Sequence, residues 1–398
     1  MINRPDYIAA IEPFIDKPLI KILAGIRRCG KSTIFEMLRE ELLRRGIGED
    51  QIICKRYTEM DIPENITAKQ MYDELTAAMA GKGHCYLLLD EIQEITGWEK
   101  AVNSLLESAD ADIYVTGSNS KLMSSEISTY LTGRYVSIPV YTLSFKEYLD
   151  FKADSTLSRR ELLEEYIRFG GFPIIALSEY DEQSAYQIVN GIYHTVVSRD
   201  IVKRHRINKQ DLFDRVVKYI IENMGKTFSA NSISTFLKSE HRKVSVESIY
   251  NYLRWLEQAF IIYPCERYDL QGKSILKTQE KYYLSDLGLR HAVIGYRDND
   301  IAGVLENIVY LELLRRGWTV HIGKQDVAEV DFVASRTDER LYIQVCYVLT
   351  PENTEREFGP LEGISDNYEK LVLSTDTLLR INRGGIRQKN IVDFLLET

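Results

Sequence analysis

Nowhere in this sequence do apolar residues run for the roughly 18 to 20 positions that a membrane-spanning helix needs, so no membrane partner is expected. Its opening stretch, MINRPDYIAAIEPFID, sets charges on both sides of short apolar pieces and lacks the apolar core of a signal peptide. A soluble, cytoplasmic protein is the expectation. Cysteine is scarce and unpaired in pattern: Cys29, Cys54, Cys85, Cys265 and Cys346 are odd in number and never spaced as a metal-binding pair. Neither a disulfide framework nor a zinc site is indicated, which leaves free buried thiols. Positive charge is also short, with 50 Lys and Arg against 59 Asp and Glu for a formal net charge of −9. That balance argues against coating nucleic acid through bulk electrostatics and leaves room for a local basic face, so any DNA contact must rest on a particular module. Sequence repeats and low-complexity segments are absent too.

What is present is globular composition, 44% hydrophobic and 27% charged over 398 residues, enough for two or three domains. The stretch LAGIRRCGKSTIFEMLRE, residues 23 to 40, starts as a buried strand, breaks at a glycine and continues as an amphipathic helix. Gly25, Gly30, Lys31 and Ser32 fit the pattern G-x-x-x-x-G-K-[ST] between strand and helix. Such a turn points successive backbone N–H groups, and the helix dipole behind them, at a phosphate. The expected nucleotide-binding loop is Gly25, Ile26, Arg27, Arg28, Cys29, Gly30, Lys31, Ser32 and Thr33. Lys31 is expected on the β- and γ-phosphates of ATP, and the Ser32 hydroxyl on Mg2+.

The run CYLLLDEIQEI at residues 85 to 95 is an apolar strand that ends in two acids. Asp90 is the expected second holder of Mg2+, and Glu91 the general base that polarises water. A further strand, ADIYVTGSNS, ends in Thr116, Ser118 and Asn119. A polar side chain at that strand end can touch the γ-phosphate or orient the water. Asn119 is the first choice and Ser118 the alternative; a plain helix N-cap explains either residue equally simply.

With QIICKRY (51 to 57) as another strand, the order of elements resembles the additional-strand class of P-loop ATPases with a catalytic glutamate, and within it the AAA+ superfamily. In LTGRYVSIPV, Arg134 stands just before a strand, where AAA+ proteins carry an arginine finger that reaches a neighbour's γ-phosphate. That resemblance implies a homo-oligomer. The alternatives are action within its own subunit or a simple salt bridge.

Beyond the ATPase domain (1–154) the resemblance implies a helical lid (155–208), with a glycine break at RFGGFPIIA and a basic run of Arg199, Lys203, Arg204, His205 and Arg206. Three amphipathic stretches and two strands over 209–286 read as a winged helix, with Lys238, His241, Arg242 and Lys243 just ahead of its third helix. Winged helices serve as DNA-binding, protein-binding or structural units. In 287–398, Glu306, Asp331, Gln344 and Cys346 resemble the site of the PD-(D/E)XK nuclease fold, related to Holliday junction resolvases and restriction enzymes. Gln344 and Cys346 replace its glutamate and lysine, so the fold is expected without cleavage.

The whole set, from GIRRCGKST to IQVCY, resembles a prokaryotic family of AAA+ ATPases with a winged helix and a degenerate nuclease-like domain. The implied fold class is α/β: a P-loop parallel sheet with a helical lid, a winged helix and a C-terminal restriction-endonuclease-like domain. The implied activity is Mg2+-dependent ATP hydrolysis to ADP and phosphate. Two function classes follow, an ATPase that couples nucleotide state to DNA, or an ATP-regulated signalling or protein-interaction switch.

Overall fold

A computed structural model describes residues 2–58, 66–123, 130–131, 133–207, 209–242, 244–272, 274–296, 301–325, 328–377 and 381–397. Lys243, expected ahead of the third helix of the winged module, lies outside them. The chain divides into two compact units, residues 1–142 with 258–260, and residues 143–257 with 261–398.

The first unit is built on a five-stranded parallel sheet in the order β2-β3-β4-β1-β5. The strands are β1 Ile20–Ala24, β2 Ile52–Arg56, β3 Cys85–Asp90, β4 Ala111–Gly117 and β5 Tyr135–Pro139. β1 and β3 are buried at every residue, which explains why CYLLLD reads as an unbroken apolar run rather than an alternation. Helices α1 Pro5–Ile11, α2 Lys31–Arg44, α3 Ala68–Met79 and α4 Trp98–Ser108 belong to the same unit. α3 begins at a capping box in which Thr67 and Gln70 satisfy each other's backbone N–H groups. At the start of the sheet Lys21 and Asp112, both buried, form an ion pair. Asp112 also accepts the Asp16 N–H (2.9 Å) and the Tyr114 hydroxyl (2.6 Å).

In the second unit, helices α5 Phe145–Phe151, α6 Arg159–Phe169, α7 Pro173–Ala176 and α8 Glu182–Thr195 come first. The glycine break between α6 and α7 has a specific cause. The Asp286 carboxylate accepts the Gly171 N–H at 2.8 Å, Gly170 has φ +80°, and a Cβ on Gly170 would sit 2.0 Å from Asp286. A π-helical stretch, Val196–Lys203, carries the chain onward. Then come α9 Gln210–Glu222, α10 Ala230–Ser239 and α11 Val246–Gln258.

The hairpin β6 Ile262–Asp269 and β7 Ser274–Leu284 pairs antiparallel. α12 Leu287–Ile294 and α13 Ile301–Arg315 follow. β8 Thr319–Gln325, β9 Ala328–Arg336, β10 Glu339–Val345, β11 Glu369–Ser374, β12 Asn382–Arg383 and β13 Ile386–Asn390 complete an eight-stranded sheet in the order β12-β13-β11-β10-β9-β8-β6-β7. β6 runs parallel to β8, so the hairpin expected as a wing is continuous with the C-terminal sheet.

Candidate nucleotide site and a buried carboxylate cluster

The G-x-x-x-x-G-K-[ST] turn joins the end of β1 to the start of α2. Gly25 must be glycine, because a Cβ there would lie 1.9 Å from the Val140 carbonyl oxygen. Gly30 (φ +103°) and Arg28 (φ +69°) turn the chain through left-handed conformations. α2 then begins at Gly30 with no side-chain cap, so its first N–H groups are served by no side chain of the cap residue. The loop is braced from outside by Arg4, a buried residue whose guanidinium donates to the carbonyls of Cys29 (2.8 Å) and Tyr141 (3.0 Å). Cys29 is wholly buried, and that burial pushes its thiol pKa up.

The Lys31 ammonium, 4% exposed, donates to the carbonyls of Gly25 (3.0 Å) and Ile26 (3.1 Å) and stands 3.6 Å from Glu91. The Ser32 hydroxyl donates to the Asp90 carboxylate at 2.7 Å. Thr116 donates to the other Asp90 oxygen, and the Arg56 guanidinium approaches at 3.0 Å. Glu91 follows in a left-handed conformation (φ 56°), which aims its side chain away from the line of the strand. Thr116 accepts its N–H at 3.0 Å.

Four partners hold the Glu91 carboxylate: Gln93 at 2.5 Å, Ser118 at 3.2 Å, Arg27 at 3.4 Å and Lys31. Burial by itself would raise its pKa, but Lys31 and Arg27, helped by Gln93 and Ser118, outweigh burial and hold it below the usual carboxylate range. The geometry thus gathers Gly25 to Ser32, Asp90, Glu91, Thr116 and Ser118. Of the two polar candidates beyond β4, Ser118 touches Glu91; Asn119 is buried, and its backbone carbonyl starts the next turn by accepting the Leu122 N–H.

Arg134 is not brought to this group. Tyr135 pairs with Ile20 at the start of β1, whereas the loop leaves the other end of that strand. Its guanidinium engages Glu107 and Asn103 of α4. Residues that the sequence reading passed over are Arg4, Arg56 and Gln93. The last had a signal, since it lies in DEIQ two positions after the base.

Residues 17–149 match the family described as an AAA domain, and residues 160–300 a domain of unknown function, DUF8612. An uncharacterized protein of Haemophilus influenzae is 38% identical over 100% of this chain and 99% of its own. An uncharacterized protein of Methanocaldococcus jannaschii is 35% identical over 86% of this chain and 78% of its own. This chain belongs to a family of AAA-domain P-loop ATPases. Among solved structures, the Walker-type ATPase paby2304 of Pyrococcus abyssi shares the fold at 15% identity, with a TM-score of 0.54 over 74% of this AAA-family chain and 96% of that one.

The second unit of this AAA-family chain holds another charged group. Glu306 on α13 and Asp331 on β9 come together, as a nuclease-like reading expects, but through a lysine from a different element. Lys281 of β7 lies 2.9 Å from Glu329, 3.3 Å from Glu306 and 3.9 Å from Asp331. Tyr283 donates to Glu306 at 3.1 Å, and the Val345 N–H donates to Asp331 at 2.8 Å. Gln344 spends its side-chain oxygen on the Asp331 backbone N–H at 3.3 Å. Cys346 packs in the apolar core beside Val330, Tyr342 and Phe358, where burial pushes its thiol up to about 12. Cys346 therefore has no part in the charged group.

Proposed function

We propose that the first unit binds ATP with Mg2+ and hydrolyses it to ADP and phosphate. The observation that carries this reading is the junction of the phosphate loop with the end of β3. There the Ser32 hydroxyl meets Asp90, and the Lys31 ammonium stands between two loop carbonyls and Glu91. The residues suit an anionic ligand with a hard cation: an uncapped helix start, a buried ammonium, and a hydroxyl and carboxylate that converge. Ser32 and Asp90 would hold Mg2+, which when bound supplies positive charge for the β- and γ-phosphate oxygens.

In this reading Lys31 exchanges its carbonyl contacts for phosphate oxygens, and the loop N–H groups wrap the same anion. Glu91 takes a proton from water as the water oxygen bonds to the γ-phosphorus, and the bond to the β-phosphate bridging oxygen breaks. The depressed pKa of Glu91 keeps it ionised and ready to accept that proton. Ser118 and Gln93 fix the direction of its carboxylate. Arg134, outside its own site, is assigned to a neighbouring subunit's nucleotide.

The hydrolysis is coupled, in the same proposal, to DNA association through the α9–α11 module and the nuclease-like sheet. A second reading, a protein-docking switch, is favoured by one observation: the exposed face of α11 presents Glu247, Tyr250, Arg254 and Glu257 together, so two acids outnumber the one base. The expected basic residues are also partly committed, since Arg242 pairs with Asp211. Binding to duplex DNA across a salt series tests the choice. A linear fall of log affinity with log salt supports DNA association, and no binding at low salt favours the protein partner.

A further inference from the structure

The charged group in the second unit brings three carboxylates and one ammonium together from separate elements: Lys281 on β7, Glu306 on α13, and Glu329 and Asp331 on β9. Lys281 is 4% exposed, and an ammonium so placed needs acceptors for its three hydrogens. Glu329 at 2.9 Å and Glu306 at 3.3 Å supply two, and Asp331 faces it at 3.9 Å. The outer lone pairs are used as well, by the Tyr283 hydroxyl on Glu306 and the Val345 N–H on Asp331. Two buried carboxylates, Glu306 and Asp331, with the half-buried Glu329 at their edge, repel one another unless a cation sits among them. A divalent ion bound by oxygen ligands does that at about 2.0–2.6 Å. Here the ammonium stands at hydrogen-bond distance from Glu329 and Glu306 and faces Asp331 across 3.9 Å, and Gln344, the neutral neighbour, is turned onto backbone.

We propose that Lys281 is a built-in cation that takes the place of a divalent metal ion in this cluster, so that the second unit is assembled without a metal and does not accept one there. The group is thereby a fixed ionic joint that ties β7 of the hairpin to α13 and β9. Its cation is covalent and cannot be removed by a chelator. The same proposal says what frees the site: with the ammonium gone, the carboxylates of Glu306, Glu329 and Asp331 that faced it lose their cation and are left to a hard divalent ion.

The test is thermal unfolding of the full chain, without nucleotide, with and without millimolar Mn2+. For the wild type, the expected result is no Mn2+-dependent shift in the unfolding of the second unit, and the same response in Asp331→Asn. For Lys281→Met, a fall of roughly 10 °C is expected, recovered in large part by Mn2+, with the recovery lost in Lys281→Met/Asp331→Asn. Lys281→Met that folds only with Mn2+ also supports the proposal. Two results overturn it: a wild-type Mn2+ shift that Asp331→Asn abolishes, or a Lys281→Met protein as stable as the wild type and indifferent to Mn2+. If Lys281→Met is insoluble in every condition, the wild-type comparison with Asp331→Asn decides alone.

Discussion

The Ser32 hydroxyl donates to the Asp90 carboxylate across 2.7 Å, which ties the first turn of α2 to the end of β3. The loop proposed to hold phosphate and the acid proposed to hold the metal are brought together by one hydrogen bond, made by residues 58 positions apart in sequence. Asp90→Ala should therefore lose nucleotide affinity measured with Mg2+ far more than affinity measured with EDTA. Lys31→Ala should lose both, because the proposal puts its ammonium directly on phosphate. Fluorescent-nucleotide titration with and without Mg2+ separates the two.

The pH dependence of turnover should follow the depressed pKa of Glu91. A carboxyl held low remains ionised as pH falls, so the acidic limb of kcat should lie below the ordinary glutamate value of about 4.3. Its ion pairs add stability that is present above the unfolded-state pKa and lost as pH falls through the folded one. Arg27→Ala removes one of the cations responsible, so it should move that limb upward. A limb unmoved in Arg27→Ala would show that Arg27 does not tune the base.

The buried pair of Lys21 and Asp112 gives a stability prediction. Burial lowers the Lys21 pKa against the pull of Asp112, so the ammonium depends on that partner. Asp112→Ala should cost about 3–5 kcal/mol, since it strands a buried charge. Lys21→Met/Asp112→Ala should cost less than Asp112→Ala alone. Urea unfolding of the three proteins checks the order.

Arg134 makes a prediction about assembly. The β1–β5 register puts it at the end of the sheet away from its own loop, so the catalytic role proposed for it is one between subunits. Mixing Arg134→Ala with Lys31→Ala protein should restore part of the turnover that each lacks. No recovery at any ratio would leave Arg134 with a structural role in its own chain, such as its contacts with Glu107 and Asn103.

How far the sequence carries depends on how local the interaction is. The loop from Gly25 to Ser32 is legible because its geometry is set by consecutive residues, and Asp90 and Glu91 are legible because an apolar run must end where the chain leaves the core. The sequence ranks Asn119 ahead of Ser118, yet one position of offset at a strand end decides which side chain meets Glu91, and it is Ser118. Arg4 left little trace: its contacts with the loop and the strand end go to backbone carbonyls, of Cys29 and Tyr141 among others, and every residue has one. Lys281 was equally hidden. Its carboxylate partners lie 25 to 50 residues later on α13 and β9, and strand pairing through β6 and β8, which no local pattern encodes, brings them together.

The most direct test of the central claim pairs ATP binding with ATP turnover in Glu91→Gln, a change that keeps shape and removes the base. The account predicts nucleotide affinity within a few-fold of wild type and turnover lower by roughly a factor of 100 or more. Full turnover in Glu91→Gln would contradict it and place the base elsewhere.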